Sequence, residues 1–304
     1  MRGVFIDANE ALAVIFERLT KPGDPGMRIH RDPDVAPDQL PGVLDGAGIA
    51  IVDHTALPTD IARNCKGLKH VVFLGTGARS YMNPEELGQL GIAVHLIRGY
   101  GDTAVAESTI ALMWAAARGI ARMDREMRAG NWLREDGMQL TGKTLGLIGF
   151  GGIAAEVARI ALGSGMRVIA WNRTPKSFAG IEFVSLDRLL AESDVVSLHL
   201  LLNDDTRGFL SRTRIAAMRP GVILINTARG ALVDEAAMMS ALESGHIRHA
   251  GLDVFNIEPL PADHALTRLP NVTLSAHSAF RTPEASVNLI HAALEHCRRI
   301  AKGK

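Results

Sequence analysis

The stretch TLGLIGFGGIAAEVARIALGSGMRVIAWNRT, residues Thr144 to Thr174, decides the fold because its hydrophobic periodicity changes twice. Residues Leu145 to Ile148 form a short continuous apolar run, which is typical of a buried strand. Residues Ala155 to Leu162 repeat apolar positions at helical spacing, and Met166 to Trp171 form a second strand-like run. The stretch therefore predicts a strand, a glycine-rich turn, a helix and a second, parallel strand.

The turn that begins at Gly149 reads GFGGIA, which is a GxGxxA pattern. Gly149 permits a tight turn, Gly151 lets a pyrophosphate approach the backbone, and Ala154 lets the helix pack closely on the strand. The N–H groups at the start of the helix, from Gly152 and Ile153, face the same place. A glycine-rich turn can also serve packing alone, but the flanking strand and helix favour a nicotinamide dinucleotide site.

The second strand ends in Asn172, Arg173 and Thr174. Asn172 stands where an acid usually binds the adenosine ribose, roughly 20 residues beyond the second glycine. Its amide can bond a ribose hydroxyl without repelling a 2′-phosphate, and Arg173 can pair with that phosphate through two hydrogen bonds. We therefore predict that all three residues bind the coenzyme and that NADP is favoured over NAD. The alternative is that Arg173 is a solvated residue at a strand end.

The chain on both sides of this unit alternates strand-like and helix-like segments. Strand-like runs recur between helical stretches over residues 99–280, which is typical of a parallel sheet covered by helices. Residues 1–98 contain four shorter runs, VFID, IAIV, HVVFL and IAVHLI. We predict an α/β fold of two Rossmann-like, doubly wound parallel-sheet domains with a cleft between them. The dinucleotide-binding domain is expected at 99–280, and the substrate (catalytic) domain at 1–98 plus 281–304.

Three further segments have recognisable patterns. Apolar residues three or four apart predict one long helix from Thr103 to Ala129, which would bridge the two domains. Pro and Gly cluster between Pro22 and Pro41, so we predict an irregular path there. The sequence from Thr282 to Lys304 is typical of a final helix, which could return to the first domain.

Composition excludes several classes of function. Lys plus Arg and Asp plus Glu both number 33, so no net positive charge attracts nucleic acid or anionic lipid. The most apolar helical run, Ile110 to Ala117, is far shorter than the ~20 residues that cross a bilayer. Cys65 and Cys297 lie outside any metal-ligand or disulfide spacing, so no metal is expected. The N terminus lacks the apolar core of a secretory signal, which indicates a cytoplasmic protein that binds a small molecule.

Three polar side chains follow three later strand-like runs: Arg229 in INTARG, Glu258 in GLDVFNIEPL and His277 in NVTLSAHSA. Open α/β sheets bind ligands at such carboxyl ends of strands. Arg229 can hold a substrate carboxylate and polarise its carbonyl, His277 can deliver a proton, and Glu258 can keep that histidine protonated. Taken singly, they could be a surface ion pair, a loop carboxylate and a buried histidine. Together they suit the reduction of a 2-keto acid.

The glycine turn and these three motifs closely resemble the D-isomer-specific 2-hydroxyacid dehydrogenase family, in the family's order and approximate spacing and over nearly the whole chain. The resemblance implies Arg229 as the residue that binds the substrate, His277 as general acid or base, and Glu258 as its partner. It implies that Asp253 lies beside the nicotinamide and that Ala228 contacts the coenzyme. Other implied contacts are Thr76 and Gly77 for the substrate carboxylate and Thr103 for the coenzyme.

The resemblance implies NAD(P)-dependent reduction of a small 2-keto acid, of the glyoxylate or hydroxypyruvate type, to the D-2-hydroxy acid. Homodimers through the coenzyme domain are usual in this family. Leu201 stands where many members have proline, which puts the wall beside the nicotinamide in doubt. Ala276 replaces the glutamine of formate-oxidising relatives, and Asp53 stands near an arginine position of phosphoglycerate-specific members. A phosphoglycerate-type dehydrogenase and a dinucleotide-sensing, corepressor-like binding protein are the alternatives.

Overall fold

The computed structural model describes residues 2–32, 35–174 and 176–303. The chain divides into two compact units, each built on its own parallel sheet. Unit 1 consists of Met1–Gly101 with Arg281–Lys304, and unit 2 consists of Asp102–Phe280. The assignment of unit 1 to the substrate stays a prediction.

Within the described residues, the strands of unit 1 are β1 (Arg2–Phe5), β2 (Gly26–Ile29), β3 (Ile49–Val52), β4 (His70–Phe73) and β5 (Ala93–Leu96). They form one parallel sheet in the order β2-β1-β3-β4-β5. Successive side chains alternate between two cores: Val4 and Ala50 face one core, and Phe5 and Ile51 face the other. Because both faces of the sheet are covered, its strands read as short continuous apolar runs.

Helices cover both faces of this sheet, and Asn9 caps the first by accepting a hydrogen bond from the Leu12 amide at 3.0 Å. The helices are α1 (Glu10–Leu19), α2 (Leu40–Val43), α3 (Thr59–Ala62), α4 (Pro84–Gln89) and α11 (Pro283–Ala301). Helix α11 comes from the C-terminal segment and packs against α1. Its Leu289 and Ile290 join Phe5 in one core of unit 1.

The segment from Pro22 to Pro41 is not wholly irregular, so that prediction is wrong in part. Strand β2 lies within it and pairs in parallel with β1, with Met27 opposite Gly3. The strand lies at the edge of the sheet and is only half buried, so its apolar pattern is weak. Turn-forming residues on both sides obscure it further. Residues 33 and 34 lie outside the described part of the chain.

The strands of unit 2 within the described residues are β6 (Thr144–Ile148), β7 (Arg167–Trp171), β8 (Glu182–Phe183), β9 (Val195–Leu198), β10 (Val222–Asn226), β11 (Ile247–Leu252) and β12 (Val272–Leu274). They form a parallel sheet in the order β12-β11-β10-β9-β6-β7-β8. Strand β6, which precedes the glycine turn, lies between β9 and β7, where the strand order reverses. Open α/β sheets bind ligands at such a point, outside the carboxyl ends of the strands.

The helices of unit 2 are α5 (Asp102–Arg118), α6 (Ile120–Arg128), α7 (Gly152–Gly163), α8 (Leu186–Glu192), α9 (Arg212–Ala216) and α10 (Glu235–Glu243). Helix α5 packs against α7, β10 and β11. The single helix expected from Thr103 to Ala129 is wrong. Gly119 has a φ of +62° and separates α5 from α6, because glycine lacks the Cβ that disfavours this left-handed conformation.

The two parallel-sheet units confirm the predicted α/β fold class. No helix in the described ranges is long and apolar enough to cross a membrane. The same residues contain no group of three or more His, Cys, Asp or Glu side chains that could hold a metal ion. Cys65 and Cys297 are buried and free, and burial raises the pKa of the Cys297 thiol to about 12. That thiol is therefore neutral at physiological pH.

Candidate active site

The glycine turn after β6 is packed against other protein atoms at Gly149 and Gly152 and is open at Gly151. Gly149 has a φ of +89°, and a Cβ there would lie 2.7 Å from the carbonyl oxygen of His199. A Cβ on Gly152 would lie 1.8 Å from Oδ2 of Asp102. A Cβ on Gly151 would meet nothing within 4 Å. The turn therefore needs glycine at Gly149, lies against the Asp102 carboxylate at Gly152, and leaves free space over Gly151.

The N terminus of α7 has the properties of an anion site. Gly151 is its N-cap residue, with an extended backbone and no side chain to bond the first N–H groups. Those groups, which include the amides of Gly152 and Ile153, have no partner within the helix. Ala154 is buried in the core that α7 shares with α5, so the helix lies close to the sheet. These residues fit a dinucleotide, whose pyrophosphate the amides of Gly152 and Ile153 would hold.

The end of β7 is attached to the glycine turn through Asn172. Its Oδ1 accepts a hydrogen bond from the Phe150 amide at 3.1 Å, and its Nδ2 donates to the Thr174 carbonyl at 2.8 Å. Lys176, which the sequence analysis missed, donates from Nζ to the Phe150 carbonyl. The side chain of Arg173 is 78% exposed. The predicted residues therefore lie beside the turn, with the Arg173 charge in solvent.

The buried amide of Asn226, the last residue of β10, shapes the loop that carries Arg229. Its Oδ1 accepts a hydrogen bond from the Ala228 amide at 3.0 Å, and its Nδ2 donates to the Arg229 carbonyl at 2.9 Å. The hydroxyls of Thr227 and Thr109 lie 2.8 Å apart and connect this loop to α5. Arg229 Nη1 donates to the Ala228 carbonyl at 2.7 Å. The guanidinium is therefore carried by a loop with several fixed points.

His277 and Glu258 form a close pair, with Nδ1 of the imidazole 2.6 Å from Oε2 of the carboxylate. Glu258 Oε1 accepts a hydrogen bond from the Phe255 amide at 2.8 Å. His277 has a φ of +47°, a left-handed conformation that residues other than glycine rarely adopt and that is enriched at functional sites. Because Nδ1 is engaged by the carboxylate, Nε2 is the nitrogen left for a substrate.

Asp253, which follows β11, is fully buried and holds the loop that carries His277. Its Oδ1 accepts a hydrogen bond from the Ser278 amide and its Oδ2 accepts one from the Ala279 amide, both at 3.0 Å. The Asp253 carbonyl accepts a third from the His277 amide at 2.7 Å. These bonds satisfy the buried carboxylate and fix the backbone of the loop. A contact of Asp253 with the nicotinamide stays a prediction.

Gly230 brings the Arg229 loop against the loop that carries Glu258. A Cβ on Gly230 would lie 2.1 Å from the carbonyl carbon of Phe255, so no side chain fits there. Arg229, Glu258 and His277 follow the neighbouring strands β10, β11 and β12 and lie at the carboxyl edge of one sheet. A guanidinium and a carboxylate-oriented imidazole at one edge can bind an acid substrate and transfer a proton to its carbonyl.

Two titratable groups that the sequence analysis missed lie around the glycine turn. Nε2 of His199 lies 2.9 Å from Oγ of Ser197, and burial lowers the pKa of His199 to about 4. Burial, and then the charge of Glu156, raise the pKa of Asp102 above its ordinary value. The turn is therefore bordered by a neutral imidazole and by a carboxyl group that takes up a proton more readily than usual.

A family model described as "D-isomer specific 2-hydroxyacid dehydrogenase, NAD binding domain" matches residues 110–279. The chain belongs to this family. The match spans more than half of the chain and includes Arg229, Glu258 and His277, so the family prediction is confirmed. This 2-hydroxyacid dehydrogenase is an oxidoreductase that binds a nicotinamide dinucleotide.

Similar proteins extend this relation to nearly the whole chain. The hydroxypyruvate reductase of Thermotoga maritima is 39% identical over 255 residues, which are 82% of this chain and 83% of that protein. A solved structure of a glyoxylate reductase from Paecilomyes thermophila is similar with a TM-score of 0.89 at 30% identity, over 100% of this chain and 96% of that chain. An acyclic imino acid reductase in complex with NADPH and D-Arg has a TM-score of 0.88 at 29% identity, over 100% and 98% of the two chains.

The remaining predicted contacts lie at the start of α5 and in the loop after β4. Thr103 is the second residue of α5 in unit 2. Thr76 and Gly77 follow β4 in unit 1, where Thr76 is exposed and Gly77 is half buried. The substrate role of Thr76 and Gly77 and the coenzyme role of Thr103 stay predictions.

Proposed function

We propose that this dehydrogenase reduces a small 2-keto acid, of the glyoxylate or hydroxypyruvate type, to the D-2-hydroxy acid. The observation that carries the proposal is the 2.6 Å contact between His277 Nδ1 and Glu258 Oε2, at the same sheet edge as Arg229. A histidine oriented by a carboxylate suits a reaction in which a carbonyl oxygen gains a proton. The related hydroxypyruvate and glyoxylate reductases support the same substrate class.

When bound, the coenzyme supplies a hydride to the carbonyl carbon. The guanidinium of Arg229 pairs with the substrate carboxylate and stabilises negative charge on the carbonyl oxygen. His277 transfers the proton on Nε2 to that oxygen, while its Nδ1–H donates to Glu258. Glu258 stabilises the protonated imidazole before the transfer and fixes the orientation of the ring. In the oxidative direction, the same Nε2 accepts the proton.

The loop after β3 favours a substrate without a phosphate group. The buried carboxylate of Asp7 accepts hydrogen bonds from three successive backbone amides of this loop, the first from Asp53 at 2.9 Å. The family resemblance puts Asp53 near an arginine position of phosphoglycerate-specific members, where its negative charge would disfavour a phosphorylated substrate. We therefore rank phosphoglycerate-type activity second.

We also propose, from the family resemblance, that Thr76 and Gly77 contact the substrate carboxylate.

We propose that NADPH is favoured over NADH. No acid stands at the position of Asn172, so no charge there repels a 2′-phosphate. Arg173 is exposed and can pair with this phosphate, and Lys176 adds a second positive charge near the same edge. The related imino acid reductase that is solved with NADPH supports this preference.

We also propose a cytoplasmic homodimer whose interface includes α6. In the described part of the chain α6 has no buried residue, and Ile120, Met127 and Trp132 are 52%, 50% and 78% exposed. Exposed large apolar side chains in one region are typical of protein interfaces. The free thiols of Cys65 and Cys297 suit a reducing compartment. Light scattering after size-exclusion chromatography measures the oligomeric state, and a monomeric mass would contradict the dimer.

The reaction is tested by a screen of 2-keto acids with NADPH and with NADH, in which the absorbance of the reduced coenzyme measures turnover. We expect turnover with glyoxylate or hydroxypyruvate that exceeds turnover with the phosphorylated analogue of hydroxypyruvate. Higher turnover of the phosphorylated compound would instead support the phosphoglycerate-type alternative. Tight coenzyme binding without turnover of any keto acid would support the dinucleotide-sensing binding protein.

A further inference from the structure

Asn172 stands where a ribose-binding acid is usual, but its side chain forms hydrogen bonds with the backbone of the protein. Its Oδ1 accepts from the Phe150 amide at 3.1 Å and its Nδ2 donates to the Thr174 carbonyl at 2.8 Å. Both polar atoms therefore hold the glycine turn and the chain after β7 in place. Oδ1 keeps one free lone pair, but an ionised carboxylate from another element would be a stronger acceptor for a ribose hydroxyl at this edge of the sheet.

Asp205, in the loop that follows β9, supplies an acid at this edge. Its Oδ2 lies 3.7 Å from Nη1 of Arg173, and the two side chains are 81% and 78% exposed. Strands β9 and β7 lie on either side of β6, so the loops that follow them approach each other beside the glycine turn. An acid therefore stands next to the cation that is proposed to recognise the 2′-substituent of the ribose.

The backbone around Asp205 is fixed by a compact turn. The Asn203 amide donates to Oγ1 of Thr206 at 2.8 Å, and the Thr206 amide donates to Oδ1 of Asn203 at 3.0 Å. The Thr206 hydroxyl also donates to the Leu201 carbonyl at 2.6 Å. Because Asp205 lies between the two residues that bond each other, its Cα position is set. Its exposed carboxylate is free to turn toward Arg173 or toward a ligand.

We propose that Asp205 is the acid of the coenzyme site and lets this dehydrogenase use NADH as well as NADPH. With NADH, the carboxylate accepts a hydrogen bond from the 2′-hydroxyl of the adenosine ribose. With NADPH, the 2′-phosphate replaces Asp205 as the partner of Arg173, and the nearby carboxylate weakens its binding. Asp205 therefore reduces the preference for NADPH that Arg173 creates. This inference rests on the proposed coenzyme site, and not on the identity of the keto acid.

The test measures dissociation constants for NADPH and NADH by fluorescence titration in the intact wild-type protein, in Asp205→Asn and in Asp204→Asn. Asp204 is the matched control, because it is an exposed acid in the same turn and makes no ion pair or hydrogen bond with the described residues. We expect Asp205→Asn to raise the preference for NADPH over NADH roughly threefold to tenfold, the range for weakening one hydrogen bond to NADH and removing one exposed charge beside the 2′-phosphate. Asp204→Asn should change it less than about twofold, through screened long-range charge alone.

Equal effects of the two substitutions, or an unchanged preference in Asp205→Asn, would overturn the inference. A threefold or larger increase that is confined to Asp205→Asn supports it. Because the titration needs no turnover, it remains decisive if the keto acid screen fails. If only the proposed reaction is wrong, the protein will turn over no keto acid, but its coenzyme affinities will still change in Asp205→Asn.

Discussion

Replacing Gly230 with alanine tests whether the contact between two loops sets the geometry of the active site. The added Cβ would lie 2.1 Å from the carbonyl carbon of Phe255 and 2.3 Å from its carbonyl oxygen. Ordinary van der Waals contact begins at 3.4 Å, so the loops must separate by about 1.3 Å, the difference between 3.4 and 2.1 Å. Both clashing atoms belong to the backbone, so a side-chain rotation cannot relieve the contact.

This separation moves Arg229 away from the loop of Glu258. Since a misplacement of about 1 Å can lower a rate on the order of 100-fold, we expect kcat/KM for glyoxylate to fall by about that factor. Overpacking should also lower the free energy of unfolding by about 1–3 kcal/mol. Coenzyme affinity should fall much less than kcat/KM, because the glycine turn and α7 are built from other residues and only Ala228 of the predicted coenzyme contacts shares the loop of Gly230.

The assay combines steady-state kinetics, coenzyme titration and urea unfolding. Gly163→Ala is the matched control: it ends α7, its added Cβ meets nothing within 4 Å, and alanine favours a helix by up to about 1 kcal/mol over glycine. That variant should keep wild-type kinetics. Wild-type kcat/KM in Gly230→Ala would refute the reasoning, because it would show that the loops tolerate the separation.

Three further substitutions test the remaining parts of the site and the fold. His277→Ala should lower kcat at least about 100-fold while coenzyme affinity stays near that of the wild type, and an unchanged kcat would contradict the proton transfer. Asp253→Asn deprives one backbone amide of its carboxylate acceptor, so the free energy of urea unfolding should fall by about 1–3 kcal/mol, and an unchanged value would contradict this account. His249 is buried with Nε2 2.9 Å from Thr273 Oγ1, and burial and neighbouring arginines lower its pKa to about 4. Between this pKa and the ordinary value of 6.5, the unfolded chain binds more protons than the folded chain. The contribution of neutral His249 to the free energy of unfolding is therefore fully present above about pH 6.5 and is lost as the pH falls toward 4, by roughly 2 kcal/mol at pH 5. In urea unfolding at pH 7 and pH 5, His249→Gln should reduce this acid-induced loss of stability. His291→Gln, at an exposed position, is the control. Equal acid sensitivity of the two variants would contradict the assignment of the loss to His249.

Features that depend on neighbouring residues along the chain could be predicted from the sequence. The strand, turn and helix around Gly149 follow from hydrophobic period and glycine spacing. Arg229, Glu258 and His277 could be proposed because each follows a strand-like run, and parallel strands bring such positions to one edge of a sheet.

Features that depend on contacts between distant segments could not be predicted in this way. The alanine-rich helical pattern continues through Gly119, whose left-handed conformation becomes visible only in the structure. The commitment of Asn172 to the Phe150 amide is a tertiary contact, and so is the approach of Asp205 to Arg173. A single sequence contains no periodic signal for such pairs, because their spacing along the chain is set by loops.

The origin of α11 in the C-terminal segment has a consequence for folding during synthesis. The sequence of unit 2 is continuous, so its core can form before α11 has been synthesised. On the face of the unit 1 sheet that carries Phe5 and Ile51, α1 supplies part of the cover through Phe16, and the rest is missing until Leu289 and Ile290 have emerged. A nascent chain that has not yet reached α11 therefore exposes part of this apolar face, and such transiently exposed surface is prone to aggregate.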